Sequence, residues 1–554
     1  MPRKIYILIL IVLLSFLTLQ CRVSAQETDY SYYNYLQNPP SSVHQYYVSP
    51  IGLSTNDGSI NTPWDMQTAF NQTSVVAPGD ILWLRGGIYA GTFTTKLNGS
   101  DQAYVYVVPY PGERAIIDGA LTLGQQSQWV IGWGLEVTNL EPDRSMITNS
   151  GLTFFSKNAK LIHSIVHDAY GVGTGFWEPS VDSEMYGNLV YHSKSHALYC
   201  QNLNGIKTID SNILLSNGYY NLHCYGEGGH EWGLRIRNNI MIGNNSNVIG
   251  GTKLPVSDDI VDHNHIVGSL YLGWDYYSNS DIIVTNNHLS QGSMEFRQNW
   301  ENITFQGNEF YPLDNGYPGF YLLDTNPYQN YLWDNNRYAR ASGGVLRYKH
   351  YDAATGKWVY PILTLDEIRQ FGFDRNGSYI GVKTGVDTYV TPSKYDPTRA
   401  TVLVYNWDLA DSIDLDLSSL PLSAGDTIVI HNALDYFNDM TTHIYTGDPI
   451  SISMVDRTIE PSLNSPTVSK VNYNPYPKYG VFIIESQKAV NVTPSSSPTP
   501  ALGDINKDTN IDIQDIIILI NEIFTPSGIQ GSDINSDGKV DILDVIHLIN
   551  IIFS

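Results

Sequence analysis

The sequence contains little cysteine and little positive charge. Only 3 of its 554 residues are cysteine, which excludes a fold held together by a disulfide framework. Lys and Arg number 31 against 55 Asp and Glu, so the net charge is −24 at pH 7. This balance excludes nucleic acid as an expected partner and is compatible with binding of divalent cations. An anionic polysaccharide would have to meet a local basic patch or a bridging metal ion.

Long hydrophobic runs are also scarce, and only the N-terminal run Ile5–Leu19 stands out. It follows Arg3 and Lys4 and precedes Val23-Ser24-Ala25, an order typical of a cleaved export signal over residues 1–25. No other stretch is apolar and long enough to span a bilayer. The sequence therefore predicts a secreted, extracellular chain without a membrane span.

A short phrase, Ser or Asn followed two residues later by an apolar residue, returns at nearly constant spacing in the middle of the chain. Steps of 24, 24, 27, 25, 23 and 21 residues separate its instances. They begin at Ser164, Asn188, Asn212, Asn239, Asn264, Asn287 and Asn308. This period, with many β-branched and aromatic residues, predicts stacked coils of a β-solenoid. Asn suits the repeated corner because it tolerates left-handed backbone angles and its amide can bond the next coil.

Stacking the repeats predicts which side chains face inward and which face outward. Cys200 and Cys224 fall at the same place in consecutive coils, so we expect two neighbouring buried thiols. Strand alternation predicts that further apolar side chains also point inward: Leu198, Leu222, Leu270, Leu272, Met294 and Phe296. The alternate residues should point outward and form one surface stripe, which we call the outward stripe: Tyr199, Gln201, His223, Tyr225, Tyr271, Glu295 and Arg297.

The region before the repeats carries a recognisable order of turns and strands. Its segments are Tyr46–Pro50, Asn56–Ser59, Pro63-Trp64, Ala77–Tyr89 and Val105–Gly119. This order resembles the opening of secreted right-handed parallel β-helix proteins, including pectate-lyase-like polysaccharide-degrading enzymes. The resemblance covers about residues 46–347 and implies the fold; a right-handed crossover is also the general preference. It does not by itself imply an activity, because function depends on the site.

From about Tyr379 the period changes to short strands separated by turns. The strands are expected at Thr401–Trp407, Ile413–Leu417, Gly425–Ile430, Pro449–Met454 and Gly480–Ile484. They predict an antiparallel sandwich that resembles those appended to many carbohydrate-active enzymes. It can serve as a sugar-binding module, or as a cap and spacer. Pro494–Pro500, which is short, polar and rich in proline, is predicted to be a linker.

The C-terminal residues contain two copies of a calcium-binding pattern 29 residues apart. Oxygen ligands stand at loop positions 1, 3, 5, 7, 9 and 12, which wrap a hard cation. The first copy is Asp504, Asn506, Asp508, Asn510, Asp512 and Asp515, and the second is Asp533, Asn535, Asp537, Lys539, Asp541 and Asp544. Helices are expected at Ile516–Ile523 and Val545–Ile552.

This pair of loops resembles a dockerin, whose loops end in Asp. The resemblance implies two Ca²⁺ ions and a cohesin module on a scaffold or cell surface as partner. Where related chains carry small hydroxyl residues at positions 10 and 11, this sequence has Ile513-Gln514 and Ile542-Leu543. An apolar cohesin interface is therefore expected.

The outward stripe offers candidates for a reaction on a polysaccharide. Elimination beside a uronate carboxylate needs a base and a cation that stabilises the enolate-like charge. Lys253 leads as base over Arg297, since Arg gives up its proton less readily, and His223 completes the catalytic candidates. A groove Ca²⁺ can be held by Glu227, Asp275 and Glu295. The expected sugar-stacking residues are Tyr199, Tyr225, Tyr271 and Trp274.

Two other functions fit the same stripe. A glycoside hydrolase would pair two carboxylates, such as Glu227 with Asp275 or Glu295. A non-catalytic glycan-binding protein would use Tyr271, Trp274, Tyr276, Tyr277 and Trp300 for stacking. Asp258-Asp259 is similar to an acidic pair of polygalacturonase-like β-helices, but the accompanying motifs of that family are missing.

Together these patterns predict a mainly β, monomeric, secreted chain. Its expected parts are a right-handed parallel β-helix over residues 26–375 and an antiparallel β-sandwich over 376–490. A linker over 491–501 leads to a small α-helical dockerin-like domain over 502–554. We expect a polysaccharide lyase tethered through cohesin, with the hydrolase and the glycan-binding protein as alternatives.

Overall fold

The computed structural model describes most of the chain. The described residues are 28–144, 151–226, 231–243, 246–250, 255–274, 279–297, 299–311, 320–323, 330–466, 468–488, 503, 505, 511, 513–524, 532–535 and 537–553. The predicted export signal and linker lie outside them. Contacts divide the chain into two compact units, residues 1–488 and 489–554. None of the described helices is long and apolar enough to cross a membrane.

Parallel strands, numbered along the chain, form three faces of a β-solenoid. The first face is a 12-stranded sheet: β1 (Gln45–Val48), β2 (Ile81–Leu84), β4 (Val105–Pro109), β6 (Val130–Trp133), β9 (Lys160–Ile162), β12 (Ser183–Tyr186), β15 (Lys207–Asp210), β19 (Leu234–Arg237), β23 (Asp259–Asp262), β26 (Ile282–Thr285), β29 (Ile303–Gln306) and β32 (Tyr331–Asp334).

The second face follows the first in each coil. Its strands are β3 (Gly87–Thr95), β5 (Ala115–Leu123), β7 (Glu136–Thr138), β10 (Ile165–His167), β13 (Leu189–Tyr191), β16 (Ile213–Leu215), β20 (Ile240–Ile242), β24 (His265–Val267), β27 (His288–Ser290), β30 (Glu309–Tyr311), β33 (Arg337–Tyr338) and β37 (Ser378–Tyr379). β3 and β5 are long enough to continue into the third face.

The third face completes each coil. Its strands are β8 (Leu152–Phe154), β11 (Thr174–Phe176), β14 (Leu198–Cys200), β17 (Leu222–Cys224), β21 (Asn247–Ile249), β25 (Leu270–Leu272), β28 (Met294–Phe296), β31 (Phe320–Leu323) and β34 (Gly344–Asp352). Antiparallel β35 (Lys357–Val359) and β36 (Ile362–Thr364) pair with β34, and β18 (Glu231–Trp232) pairs with β22 (Val256–Ser257). The predicted solenoid is confirmed.

The interior of the coils is one continuous apolar core. Every predicted inward side chain is buried in it, including Leu198, Leu270 and Phe296, each 0% exposed. Cys200 pairs in register with Cys224, and both are free buried thiols, as predicted. Short helices α1 (Ser31–Gln37), α2 (Met66–Phe70) and α3 (Leu365–Gln370) flank the solenoid strands in the chain.

The repeated asparagines form a hydrogen-bonded ladder inside the corner between the first and second faces. Each ladder asparagine donates from its backbone N–H to the side-chain oxygen of the next, at 2.9–3.1 Å. The ladder comprises Asn188, Asn212, Asn239, Asn264, Asn287, Asn308 and Asn336. It ends on the carboxylate of Asp374, which accepts from Asn336 at 2.8 and 3.0 Å.

The left-handed backbone angle expected of these asparagines lies one residue earlier. The residue preceding each ladder asparagine has a positive φ: Gly187, Ser211, Asn238, His263, Asn286, Gly307 and Asn335. The chain turns sharply just before the asparagine. The asparagine itself can then keep strand-like geometry and direct its amide along the stack.

A β-sandwich follows the solenoid within the same compact unit. A five-stranded sheet contains β38 (Val386–Pro392), β39 (Arg399–Asn406), β44 (Tyr479–Gln487), β41 (Thr427–Asn432) and β42 (Met440–Ile444); β40 (Ser412–Leu415) pairs with β43 (Ile450–Ser453). The sheets enclose their own core, and a 3₁₀ helix covers Ser469–Asn472. β37 still pairs in parallel with β33, so the solenoid continues past the expected boundary at residue 375.

The sandwich covers the outer side of the second face. Apolar side chains that point out of the coils, such as Leu189 and Ile213, pack against Leu403, Tyr405 and Val481 of the sandwich. Each of these five is at most 2% exposed. The sandwich therefore lies along the flank of the coils, and one outer face is closed to large ligands.

The second compact unit contains two paired helices, α4 (Ile513–Phe524) and α5 (Ile542–Phe553). They share a small core that includes Leu519, Val545 and Leu548. Both helices begin three residues before the predicted starts. The last residues of each calcium loop therefore form the first helical turn.

Candidate functional site

The outer side of the third face carries a column of side chains in strict register. Tyr199 pairs with His223, then come Val248, Tyr271 and Glu295 on successive strands. We call this set the outer column. Because parallel strands lie ~4.8 Å apart, residues distant in sequence form one elongated surface. Tyr199 and Val248 are themselves buried, at 8% and 0% exposure, and the other three are half-buried.

Two histidines meet at the middle of this surface. His223 Nδ1 lies 3.4 Å from Nε2 of His196, which precedes β14. Burial lowers the pKa of His223 to about 3, with a further contribution from His196, and lowers the pKa of His196 to about 4. Both rings are therefore neutral at neutral pH, and a neutral imidazole donates one hydrogen bond and accepts another.

Aromatic rings extend on both sides of the histidine pair. Ring centroids lie 5.0 Å apart for Trp177 and Tyr199, and 4.9 Å apart for Tyr199 and His223. Tyr225 and Tyr220 lie 4.8 and 4.9 Å from His223. We call these rings the aromatic wall. Such a surface suits stacking against sugar rings, since aromatic faces combine apolar area with polar edges.

An interior lysine supports the aromatic wall from below. The Lys207 ammonium, fully buried, donates to the backbone carbonyls of Phe176, Trp177 and Gln201. Burial lowers its pKa to about 8. It fixes the turn that carries Trp177 beside the outer column.

Arg297 occupies a second cluster further along the column. Its guanidinium lies 4.0 Å from the Tyr271 ring centroid and 4.6 Å from that of Trp274. Its Nε donates to Glu295 Oε2 at 3.0 Å, and Glu295 also accepts from Ser293. The planar, stacked and ion-paired guanidinium suits charge stabilisation better than proton removal.

Several predicted site residues lie outside the described residues. These are Lys253, Glu227 and Asp275, and Asp504, Asn506, Asp508, Asn510 and Asp512 of the first calcium loop. Among the described candidates, Tyr199 and Tyr225 join His223, and Tyr271 and Trp274 join Arg297 and Glu295. His223 and Glu295 are three strands apart, about 14 Å at ~4.8 Å per strand. The candidates thus form two clusters along one surface.

The acidic pair Asp258-Asp259 divides between two environments. Asp258 is exposed and pairs with Arg235 at 3.0 Å, whereas Asp259 is fully buried and burial raises its pKa to about 7. A partly exposed carboxylate and a fully buried one cannot both reach the same glycosidic bond. This pair therefore offers no hydrolase site.

A buried charged cluster lies at the edge of the covered face and was not expected. His167 Nδ1 lies 3.1 Å from Asp168 and its Nε2 lies 3.4 Å from Glu136. Asp168 also accepts from Ser462 and from the backbone of Leu463 in the sandwich. His167 lies at the end of β10 and His163 in the preceding corner, so their four-residue spacing is not that of a helical metal site. No sequence pattern indicated that sandwich residues would join His167 and Asp168.

Sequence reasoning missed Trp177 and Tyr220. Each stands in a turn beside a strand, where strand alternation assigns no direction. The aromatic dipeptides Phe176-Trp177 and Tyr219-Tyr220 were the available signal.

The second calcium loop has the geometry of a cation site. Asp533 and Asp537 face the loop interior through hydrogen bonds to loop backbone N–H groups, and Gly538 has φ +89°. Buried Asp544 accepts from the N–H groups of Ile534 and Asn535. Burial opposes ionisation of Asp544, but these bonds outweigh it and lower its pKa. Asp515 is equally buried and accepts from Ile505 in the first loop. The oxygen donor set fits Ca²⁺.

Apolar side chains remain exposed on both helices of this unit. They repeat with the 29-residue period of the loops: Ile517 and Ile546 are 54% and 50% exposed, and Ile520 and Ile549 are 36% and 37% exposed. This face, which we call the apolar helical face, also includes Ile542 and Leu543 at loop positions 10 and 11. Such a surface is typical of a protein-binding site.

Comparisons with known proteins match different parts of the chain. Residues 502–553 match the dockerin type I domain. Part of the chain is similar to a pectate disaccharide-lyase of Dickeya chrysanthemi, with 25% identity over 286 residues, 48% of this chain and 35% of that protein. The chain thus spans about a third of the length of the curated relative that it matches.

Solved structures with a similar backbone include two carbohydrate-active enzymes. Pectate lyase Pel9A shares 14% identity at a TM-score of 0.33, over 47% of this chain and 78% of that one. A GH136 lacto-N-biosidase from Eubacterium ramulus shares 13% identity at a TM-score of 0.35, over 54% of this chain and 64% of that one.

Proposed function

We propose that this chain, whose C-terminal module is a dockerin type I domain, is an extracellular polysaccharide-degrading enzyme held in a cohesin-based complex. The proposed reaction is β-elimination in a uronate-containing polysaccharide on the outer side of the third face. The observation that carries the proposal is the outer column. Together with the residues beside it, the column brings aromatic rings, the neutral His196 and His223 and the stacked Arg297 to one partly exposed surface. The similarity to a pectate disaccharide-lyase supports the same choice.

The proposed roles follow from the chemistry of elimination. A base removes the proton beside the uronate carboxylate, negative charge builds up on that carboxylate, and the glycosidic oxygen leaves from the neighbouring carbon. Lys253 is proposed as the base, because an amine can be neutral near physiological pH when neighbours lower its pKa. Arg297 is proposed to stabilise the developing carboxylate charge. The neutral His223 and His196 pair is proposed to hydrogen-bond sugar hydroxyls.

We also propose that Glu227, Asp275 and Glu295 hold a calcium ion at the substrate surface. When bound, such an ion would neutralise the uronate carboxylate. Glu295 is already held by Arg297 and Ser293, so it would have to share its oxygens. In the described part of the outer column it is the only carboxylate.

The test is cleavage of purified polysaccharides by the full chain. Pectate, alginate, glycosaminoglycans and neutral glycans are incubated with and without Ca²⁺, and unsaturated uronate ends are followed by ultraviolet absorbance. We expect unsaturated products from one acidic polymer. Reducing ends without unsaturation would contradict elimination and favour hydrolysis.

Replacement of the base tests the assignment of roles. Lys253→Ala should abolish cleavage while the thermal unfolding curve stays that of the parent chain. Arg297→Lys should keep measurable cleavage with a lower kcat, since it retains charge but loses the planar contact with Tyr271 and Trp274. Unchanged turnover in Lys253→Ala would remove Lys253 from the mechanism.

A glycan-binding protein without catalysis is the second candidate. The aromatic wall favours it, because stacking rings bind sugars without any reacting group. Retention by a polysaccharide, without release of any product over long incubation, would support this alternative.

The dockerin module is proposed to attach the chain to a cohesin through the apolar helical face. We expect two Ca²⁺ ions per chain by calorimetric titration, and loss of cohesin binding on chelation that calcium reverses. Ile546→Asp should weaken cohesin binding without changing calcium stoichiometry. The exposed His547→Asp on the same helix is the matched control. Equal binding by both variants would place the cohesin contact elsewhere.

A further inference from the structure

The end of the third face carries a second exposed surface that the proposed reaction does not use. Its strand β34 pairs in register with β31. Arg347 is therefore paired with Tyr321, which is in turn paired with Glu295, the last residue of the outer column. β34 then runs beyond its parallel partner and folds back as a hairpin with β35. The hairpin thus extends the proposed substrate surface beyond the last coils.

One face of this hairpin combines aromatic rings with cations. Strand alternation places Arg347, Lys349 and Tyr351 on the same side of β34, and Tyr351 pairs directly with Trp358 of β35. The two rings are 5.5 Å apart in an edge-to-face arrangement. Tyr360, which follows β35, joins the same side through its contacts with the cations. We call these five residues the hairpin patch.

The cations of the hairpin patch lie over its rings. The Lys349 ammonium is 4.8 Å from the Trp358 ring centroid and 6.0 Å from that of Tyr360. The Arg347 guanidinium is 5.5 Å from the Tyr360 ring. Within the described part of the chain, Lys349 has no carboxylate partner, which is unusual in a chain of net charge −24.

The rings remain open to solvent. Tyr351, Trp358 and Tyr360 are 54%, 47% and 49% exposed. Three large exposed aromatic side chains, with an ammonium that has no carboxylate partner among the described residues, suit a ligand that is both flat and anionic.

We propose that the hairpin patch is an outlying subsite for a polyuronate chain, in which the rings stack against sugar faces and the cations pair with carboxylates. Charge complementarity selects an acidic polysaccharide over a neutral one. Continuity with the outer column lets one polymer occupy both places: Arg347 lies two strands beyond Glu295, about 10 Å at ~4.8 Å per strand. The assignment of one polymer to both places rests on the proposed function, but binding at the hairpin patch does not require cleavage.

The test measures binding of the full chain to immobilised polymers by affinity electrophoresis. The gels contain polygalacturonate, alginate, a sulfated glycosaminoglycan or a neutral glucan, at low and high salt. Lys349→Glu and Trp358→Ala should each weaken binding to the polyuronates by about fivefold, which is ~1 kcal/mol at 1.4 kcal/mol per tenfold. The loss for Lys349→Glu should shrink at high salt, because exposed charges are screened.

Lys357→Glu is the matched control. Lys357 lies on the same hairpin, but it neighbours Trp358 in sequence and therefore points to the opposite side of β35. The Lys357→Glu variant has the same change in charge as Lys349→Glu, and it should bind the polymers as the parent chain does. Thermal unfolding of all variants checks that the hairpin is folded.

Distinct outcomes separate this inference from the proposed lyase activity. Polyuronate binding that depends on Lys349 and Trp358 supports the subsite even if no polymer is cleaved. Equal weakening by Lys357→Glu would overturn it, as would parent-like binding by Lys349→Glu. Binding of the neutral glucan alone, or of the sulfated polymer alone, would also overturn the assignment to a polyuronate.

Discussion

The second and third faces of the solenoid have the same architecture and opposite outer surfaces. On the second face the outward residues include Leu189, Ile213 and Ile240, and the sandwich buries them. On the third face they include His223, Tyr271 and Glu295, which stay half-exposed. Both faces share one core and one strand spacing. The chemistry of alternate residues therefore decides which face holds a domain and which can hold a ligand.

The largest effect is expected from a charge placed on the covered face. Leu189→Asp would bury a carboxylate between coil and sandwich, where Leu189 is 0% exposed. We expect a loss of about 4 kcal/mol in the free energy of unfolding, measured with denaturant. Ile283→Asp, at a 39% exposed outward position of the first face, should cost less than ~1 kcal/mol. Similar losses in both variants would show that coverage by the sandwich does not matter.

The covered face should also respond to alkaline pH. Burial alone would lower the pKa of His167, but its hydrogen bonds to Asp168 and Glu136 outweigh burial and raise that pKa to about 9. A raised pKa means that the protonated form stabilises the fold below the unfolded value of ~6.5 and that this stabilisation is lost as pH rises through about 9. The expected loss is on the order of 3 kcal/mol.

This pH effect can be isolated by substitution. His167→Gln should have an unfolding free energy that changes little between about pH 6 and about pH 10, apart from effects common to the whole chain. The exposed His44→Gln should keep the parent dependence, since His44 is 72% exposed. A parent-like alkaline loss in His167→Gln would assign that loss to other groups.

A smaller effect is expected from the open face, and it should appear in binding. Trp177→Ala removes the ring that lies 5.0 Å from Tyr199 in the aromatic wall. We expect polysaccharide binding weaker by about fivefold, the scale of one ring contact at ~1 kcal/mol, and little change in unfolding. A large loss of stability with unchanged binding would show that Trp177 stabilises the fold and does not contact the polysaccharide.

The open face should also show an acid response, opposite in sign to the alkaline response of the covered face. The pKa of His223 is lowered to about 3 by burial, so unfolding takes up a proton between that value and ~6.5. Stability should therefore fall as pH falls through this window. His223→Gln should reduce this acid loss in denaturant titrations, while His167→Gln should not.

Much of the solenoid follows from local sequence rules. The repeat predicts the coil, the positions of the inward core and the pairing of Cys200 with Cys224, because each depends on strand alternation and a constant step. The site followed only in part. Tyr271, Glu295 and Arg297 come together as expected, but the roles proposed for the column residues stay predictions. Trp177 and Tyr220 were missed because strand alternation assigns no direction to turn residues.

The sequence by itself determined the stacked coils, the asparagine ladder and the calcium loops. These depend on short-range spacing, which repeats and loop positions display directly. Only the tertiary structure decided which outer face stays open, because contacts such as Leu189 with the sandwich join segments more than 200 residues apart. It also decided that Arg297 stacks on Tyr271 and that His167 is enclosed by carboxylates, since burial and neighbouring charge depend on the whole fold.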